Sequence, residues 1–283
     1  MFENAKAAFL QALRAKGVSP RTAVNYREAM DQLIGFLVSL DPALALEDIR
    51  PAHIRGFLAE LRERGRCDNT VQCRFRALRT WFYFLEREGM VPSNPIKGVQ
   101  APIVHVHAVV PYTEDEVRRM MAAARHWPAL ALRDQMAIAL LYNTGMRAGE
   151  LCTLLVENVR EGTVLVCGKG KRERWLGLEP VTARLLTTYR VGRDGRYVFG
   201  LSVTGLHQMI KRLAWRANVP HAHAHRFRDS YAVAFLENGG DLETLQTSLG
   251  HASIETTLRY VMYGRERRAT EAQRKFAPFA QAG

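Results

Sequence analysis

The feature that most restricts the fold lies at residues 91–111, VPSNPIKGVQAPIVHVHAVVP, where four prolines fall within 21 positions and no apolar period survives. Proline lacks an N–H and fixes φ, so neither a helix interior nor a central strand can run through such a stretch. The segments on its two sides must bury apolar surface separately. At 283 residues the chain is long enough for two cores. It reads as one domain over 1–90, a linker over 91–111 and a second domain over 112–283.

Residues 1–90 carry helical punctuation throughout. Phe2, Phe9, Leu10 and Leu13 recur at helical spacing up to Gly17. Ser19-Pro20 then supplies a cap and a first-turn proline for the next helix, with Val24, Met30, Leu33, Ile34 and Leu37. A third helix begins near Pro51, and its apolar stripe is Ile54, Phe57, Leu58 and Leu61. A fourth runs from Asp68-Asn69-Thr70 to Gly89. It mixes Arg74, Arg76, Arg79 and Arg87 with Phe75, Leu78, Trp81 and Phe82. Those arginines suit either a solvated face or a helix laid against DNA phosphates.

The second domain is mixed. Thr113 and Glu116 form a capping box, and a long helix through Met136, Ile138, Leu140 and Leu141 closes at Asn143-Thr144-Gly145. Residues 163–178, TVLVCGKGKRERWLGL, are two β-prone runs around Gly168-Lys169-Gly170-Lys171, which predicts a hairpin. Helices occupy the remainder. The expected fold is mainly α: a helical first domain, then an α+β domain with a small antiparallel sheet.

Charge narrows the class of partner. The net charge is +12, and both parts of the chain are basic: 15 Lys/Arg against 11 Asp/Glu in residues 1–100, and 25 against 17 beyond. That suits a polyanion held along the length of the protein. No apolar run approaches a membrane span, and the N-terminus lacks the apolar core of a signal peptide. Cys67, Cys73, Cys152 and Cys167 form neither a CxxC pair nor a disulfide framework, which points to the cytoplasm. Ser/His/Asp hydrolase motifs and nucleotide-binding glycine motifs are absent. His221, His223 and His225 alternate, but no Cys/His partner stands at zinc-type spacing, so neither metal nor cofactor is expected.

Four short motifs carry candidate chemistry. In TGMRAGEL, Gly145 closes a helix and leaves Arg147 at the start of the next, beside unpaired N–H groups. There it can grip two phosphate oxygens while Glu150 holds its other side, or simply form a surface pair with Glu150. In GKGKRER, Lys169 sits at a hairpin tip in a chain with seven lysines against 33 arginines. A lysine can hand a proton to a leaving oxygen; arginine cannot. In HAHAHRFRDSYA two His-x-x-Arg registers compete, His223/Arg226 and His225/Arg228, and the apolar run after Arg228 favours the second. In LGHASIETTLRY, Asp241 and Gly250 bound a helix, Ser253 can cap another, and His251 lies at the corner between them. Tyr260 falls about two turns later, with Tyr263 close behind.

Together and in this order, Arg147, Lys169, His225, Arg228, His251 and Tyr260 resemble the catalytic set of the tyrosine recombinases, the phage integrases and Xer-type recombinases. In that family the box histidine precedes the Gly-His histidine by about 26 residues, and the nucleophile comes nine after the latter. His225, His251 and Tyr260 match both intervals, ahead of His223 and Tyr263. The likeness is strong from about Thr113 to Tyr260, and residues 1–90 are similar to the family's SAM-like, four-helix core-binding domain. One departure is Asp229, where many members carry His or another residue. The other is Pro220-His221, placed where some members have the box, but His221 has Ala224 three residues on.

The resemblance implies site-specific DNA recombination (integration, excision or dimer resolution) through a 3′-phosphotyrosyl intermediate, without ATP or metal. Tyr260 would attack, Arg147 and Arg228 clamp the phosphate, and His225 act as base or orienting group. His251 would hydrogen-bond the phosphate, and Lys169 protonate the 5′-oxygen. The implied partners are double-stranded DNA and other protomers in a tetrameric synapse, with room for accessory proteins. The tail ERRATEAQRKFAPFAQAG would dock on a neighbour. The chain opens almost at the core-binding domain, so the arm-site domain of larger phage integrases is expected to be missing. Two rival readings share the constellation: a type IB topoisomerase that relaxes DNA as a monomer, and a DNA-binding regulator that has lost the chemistry.

Overall fold

The computed structural model describes residues 2–104, 109–168, 172–190, 195–251, 253–263, 269, 270 and 273. It divides into two compact units, Met1–His107 and Ala108–Gly283.

The first unit holds α1 (Phe2–Ala15), α2 (Pro20–Leu40), α3 (Pro51–Glu63) and α4 (Asp68–Arg87). Ser19 caps α2 as the Ser-Pro pair predicts, accepting from the Thr22 amide at 3.2 Å. The apolar stripes meet in one core of Phe9, Leu33, Leu37, Ile54, Phe57 and Trp81. Trp81 is fully buried, so truncating it to alanine would cost about 3–5 kcal/mol. Part of the proline-bearing stretch belongs to this core. Val91, Ile96 and Val99 are buried in it, and Asn94 caps a 3-10 turn over Pro95–Gly98. The arginines of α4 do not form one free face. Arg74 turns inward, donating to Gln32 at 3.0 Å, to Asn25 at 2.9 Å and to Glu28 at 2.8 Å. Arg74 therefore takes neither of the two readings left open for these arginines: it ties α4 to α2.

The second unit begins with α5 (Glu114–Ala124), capped by the reciprocal Thr113–Glu116 pair, and α6 (Pro128–Thr144). Met136 to Leu141 are all buried, so this stretch of α6 is apolar all round and forms the centre of this unit. The five-residue α7 (Ala148–Cys152) comes next, then β1 (Val159–Arg160), β2 (Thr163–Cys167) and β3 (Glu173–Gly177). The strands form an antiparallel sheet in the order β1-β2-β3, with Val164 opposite Leu176 and Val166 opposite Arg174. Then come α8 (Pro180–Arg190), α9 (Val203–Arg216), α10 (Ala224–Glu237), α11 (Leu242–Leu249) and α12 (Glu255–Val261). The fold is thus mainly α with one small antiparallel sheet, as the sequence predicts. A small cluster of Ala232, Val233, Leu236, Leu245, Leu249 and Tyr260 holds the last three helices together.

Candidate active site

The local conformation at Gly145 starts the site. It adopts φ 62°, in the left-handed region open to glycine, and stops α6. A Cβ there would meet Tyr231 Cδ1 at 2.5 Å. The chain then turns so that Arg147 becomes the N-cap residue of α7 and Glu150 its third residue. Glu150 Oε2 accepts from the Arg147 amide at 2.8 Å, and Oε1 from Arg147 Nη1 at 2.9 Å. A third group, absent from the sequence expectation, completes this arrangement. Arg174 on β3 grips both Glu150 oxygens, at 2.8 and 2.9 Å. Burial alone pushes the Glu150 carboxyl up, but the hydrogen bonds and charges of Arg174 and Arg147 outweigh it and hold it below the usual range.

Arg228 and His225 come from α10. His223 caps this helix, its Nδ1 accepting from the Arg226 amide at 3.1 Å. Arg226 is buried against the Val110, Pro111 and Pro220 carbonyls and Glu116. The competing His223/Arg226 register is therefore occupied by a helix cap and a structural arginine. Arg228 is 1% exposed. It donates to the Gly145 carbonyl at 2.8 Å and the Leu249 carbonyl at 2.6 Å, while its Nε has no partner among the described residues. Burial, then the Arg147 charge, pull its pKa down to about 10.

The corner after α11 receives these arginines. Gly250 closes the helix at φ 64°, again left-handed. The last carbonyls of a helix lack intrahelical partners and carry the negative end of its dipole. Here three successive ones take a guanidinium each. Ser248 O accepts from Arg174 Nε at 2.7 Å, Leu249 O from Arg228 and Gly250 O from Arg147 Nη2 at 3.1 Å. One helix end thus gathers side chains from β3, α10 and the start of α7.

His251 stands beside this cluster, its Nδ1 2.8 Å from Thr257 Oγ1. Burial, then the charges of Arg228, Arg147 and Arg259, lower its pKa to about 4, so the ring is neutral at pH 7. Tyr260 is the sixth residue of the seven-residue α12 and is fully buried. Its ring lies stacked near His251, with centroids 6.4 Å apart. Burial, then the Asp229 charge, raise the phenol to about 12. Tyr263 is more than a third exposed, in the turn beyond α12.

The structure thus brings Arg147, Arg228, His251, Tyr260 and Glu150 into one region, with His225 at its more exposed edge. Lys169 and nearly all of the tail lie outside the described residues. Sequence reasoning missed Arg174 and Arg259. A signal for Arg174 existed: it stands two residues before Leu176, on the core-facing side of β3, where an arginine needs a buried anion.

Comparison with known proteins agrees with this architecture. Residues 112–266 match the phage integrase family, and residues 7–89 match its N-terminal SAM-like domain. The chain belongs to the phage integrase family. Tyrosine recombinase XerD of Halalkalibacterium halodurans is 30% identical over 262 residues, 87% of this chain and 88% of its own. Tyrosine recombinase XerC of Alcanivorax borkumensis is 32% identical over 264 residues, 86% of this chain and 83% of its own. Within the family the protein is a tyrosine recombinase of the Xer type. Among solved structures, a lambda integrase dimer bound to a COC′ core site aligns with a TM-score of 0.77 at 19% identity, covering 91% of this chain and 76% of that one. XerH bound to a palindromic difH substrate aligns at 0.74 and 19%, covering 92% and 81%. These two likenesses concern the fold.

Proposed function

We propose that this recombinase cuts and rejoins double-stranded DNA at a specific site with Tyr260 as nucleophile. Attack on the scissile phosphate forms a 3′-phosphotyrosyl link that stores the bond energy. Arg147 and Arg228 neutralise the non-bridging oxygens as charge develops, the task metal ions perform elsewhere. His251, neutral and between cations, hydrogen-bonds the phosphate. His225 orients the group, and Lys169 protonates the 5′-oxygen. Attack by a 5′-hydroxyl from another strand completes the exchange.

The observation that carries this reading is the convergence of positive charge beside a buried tyrosine. Burial, then the charges of Arg228, Arg147 and Arg259, depress His251, and Arg228 Nε is a buried donor with no protein partner among the described residues. Such a cluster is suited to an anion, and the net charge of +12 suits a polyanionic one. We assign DNA core binding to residues 1–90 and catalysis to 112–283. The related structures include a lambda integrase tetramer bound to a Holliday junction, which supports a tetrameric synapse here. Among the described residues no helix is long and apolar enough to cross a membrane, and with four free cysteines we place the action in the cytoplasm.

A nicked suicide duplex tests the reading. Wild type should give a covalent protein–DNA adduct and Tyr260→Phe none. An adduct surviving in Tyr260→Phe would overturn the assignment and move it to Tyr263.

A further inference from the structure

Among the described residues the Tyr260 hydroxyl has two hydrogen-bond partners, and neither is a histidine. It donates to Asp229 Oδ1 at 2.8 Å and accepts from Arg259 Nη2 at 2.7 Å. The same Arg259 nitrogen donates to Asp229 Oδ1 and lies 2.9 Å from His225 Nε2. A guanidinium only donates, and this one nitrogen shares its two N–H groups among Asp229, Tyr260 and His225, while the phenol's own proton is directed at Asp229. Asp229 is the residue that departs from the usual pattern of the His-x-x-Arg box. It comes directly after Arg228 and lies one turn beyond His225 on α10, with its side chain 15% exposed.

We propose that Asp229 takes the proton from Tyr260 as the tyrosine attacks, with Arg259 aligning the two oxygens; this rests on the reading of Tyr260 as the nucleophile. The phenol O–H bond breaks and its proton passes to Asp229 Oδ1. The electron pair left on the phenol oxygen forms the bond to phosphorus. The bond from phosphorus to the 5′-oxygen breaks, and that oxygen keeps the pair and takes a proton from the leaving-group acid. On ligation the changes reverse, and Asp229 returns the proton to the departing phenol oxygen.

Two contacts and one chemical precedent favour Asp229 over His225 for this step. The contact lies within the range of about 2.6–3.2 Å that proton transfer requires, and it is already made by the proton in question. An aspartate that accepts a hydroxyl proton during attack at phosphorus is established chemistry in protein kinases. Arg259 touches both oxygens, so the negative charge moves from carboxylate to phenol oxygen within reach of one cation. With the phenol raised to about 12, preformed phenolate is scarce at neutral pH, and a base already in contact answers that need.

The test is single-turnover cleavage by the full chain of a nicked duplex carrying the sequence that wild type selects from a random duplex library. In Asp229→Asn the amide oxygen can still accept the phenol hydrogen bond but cannot take the proton. Its cleavage should fall by about 10²–10⁴-fold, with duplex affinity unchanged. Its rate should also climb about tenfold per unit from about pH 7 to 9, tracking the phenolate fraction, while wild type stays nearly level. The other described groups facing the hydroxyl do not titrate there. His225 and His251 are both lowered by burial, and Arg228 and Arg259 stay charged. A bridging 5′-phosphorothiolate, whose sulfur leaves without a proton, should not relieve the defect. Asp229→Glu keeps the carboxylate and should keep the level profile. Asp229→Asn cleaving as fast as wild type, a profile parallel to it, relief by the phosphorothiolate, or a climbing Asp229→Glu profile would each overturn the proposal. If wild type forms no adduct, or Tyr260→Phe forms one, the reading of Tyr260 itself fails instead.

Discussion

Replacing Glu150 with glutamine keeps the shape of the side chain and removes its charge. Glu150 is 3% exposed, and its two oxygens accept four hydrogen bonds, two from Arg147 and two from Arg174. Glutamine has one accepting oxygen, so its amide nitrogen would face a donor. Arg174, with its side chain 14% exposed, would be left cationic with no carboxylate in contact. Breaking a buried pair by removing one partner costs about 3–5 kcal/mol. Arg147 is 37% exposed and can recover water, which puts the expected loss near the lower end, about 3 kcal/mol. For a unit of this size that lowers the midpoint by about 6–12 °C, read by calorimetry on the full chain at pH 7.

The pH dependence is a second readout. The folded pKa of Glu150 lies below its unfolded value, so the unfolded chain binds a proton first as pH falls. The stabilisation is complete above the unfolded value of about 4.3 and is lost as pH falls through the folded value. The gap between wild type and Glu150→Gln should therefore narrow on acidification below about pH 5. Midpoints within about 1 °C at pH 7, or a gap that widens in acid, would refute the reasoning.

Two other measurements bear on the same region. Gly145→Ala forces a left-handed φ on alanine and drives its Cβ to 2.5 Å from Tyr231, so a loss of about 2–4 kcal/mol is expected in urea denaturation. Gly149→Ala, with open space around it inside α7, should be neutral or slightly stabilising in the same assay. His251 has a folded pKa of about 4, below the unfolded value of about 6.5, so its contribution is complete above that value and lost as pH falls towards 4. An anion among the arginines should raise this pKa, and titration of the His251 ring by NMR with and without inorganic phosphate checks the direction.

Much of the fold was legible because its signals are local. Ser19-Pro20, the Thr113–Glu116 box, Gly145 and Gly250 each act on residues within one turn, and each sits where the sequence places it. The partners of the site residues were less legible, because they meet across long separations. Nothing near Arg74 announces Asn25 and Glu28, and nothing near Glu150 announces Arg174. Asp229 stood out as a departure from pattern, but its contact with Tyr260 depends on how α12 seats against α10. The His-x-x-Arg period alone fits His223/Arg226 as well as His225/Arg228; the interval to His251 selects His225, and His223 Nδ1 is taken up by the Arg226 amide.

The three carbonyls at the end of α11 also set a timetable for synthesis. Arg147 emerges from the ribosome about a hundred residues before the Gly250 carbonyl that holds it, and Arg174 about seventy before that of Ser248. Domains fold as units and N-terminal ones first, so the first helical unit can form while this region is still waiting for its acceptor. A chain stalled before Ser248 carries the Arg147–Glu150 pair without the helix end that aligns the guanidiniums, and without Tyr260. On the proposal that Tyr260 is the nucleophile, a nascent or prematurely terminated chain would be unarmed, and cutting competence would arrive only with α12.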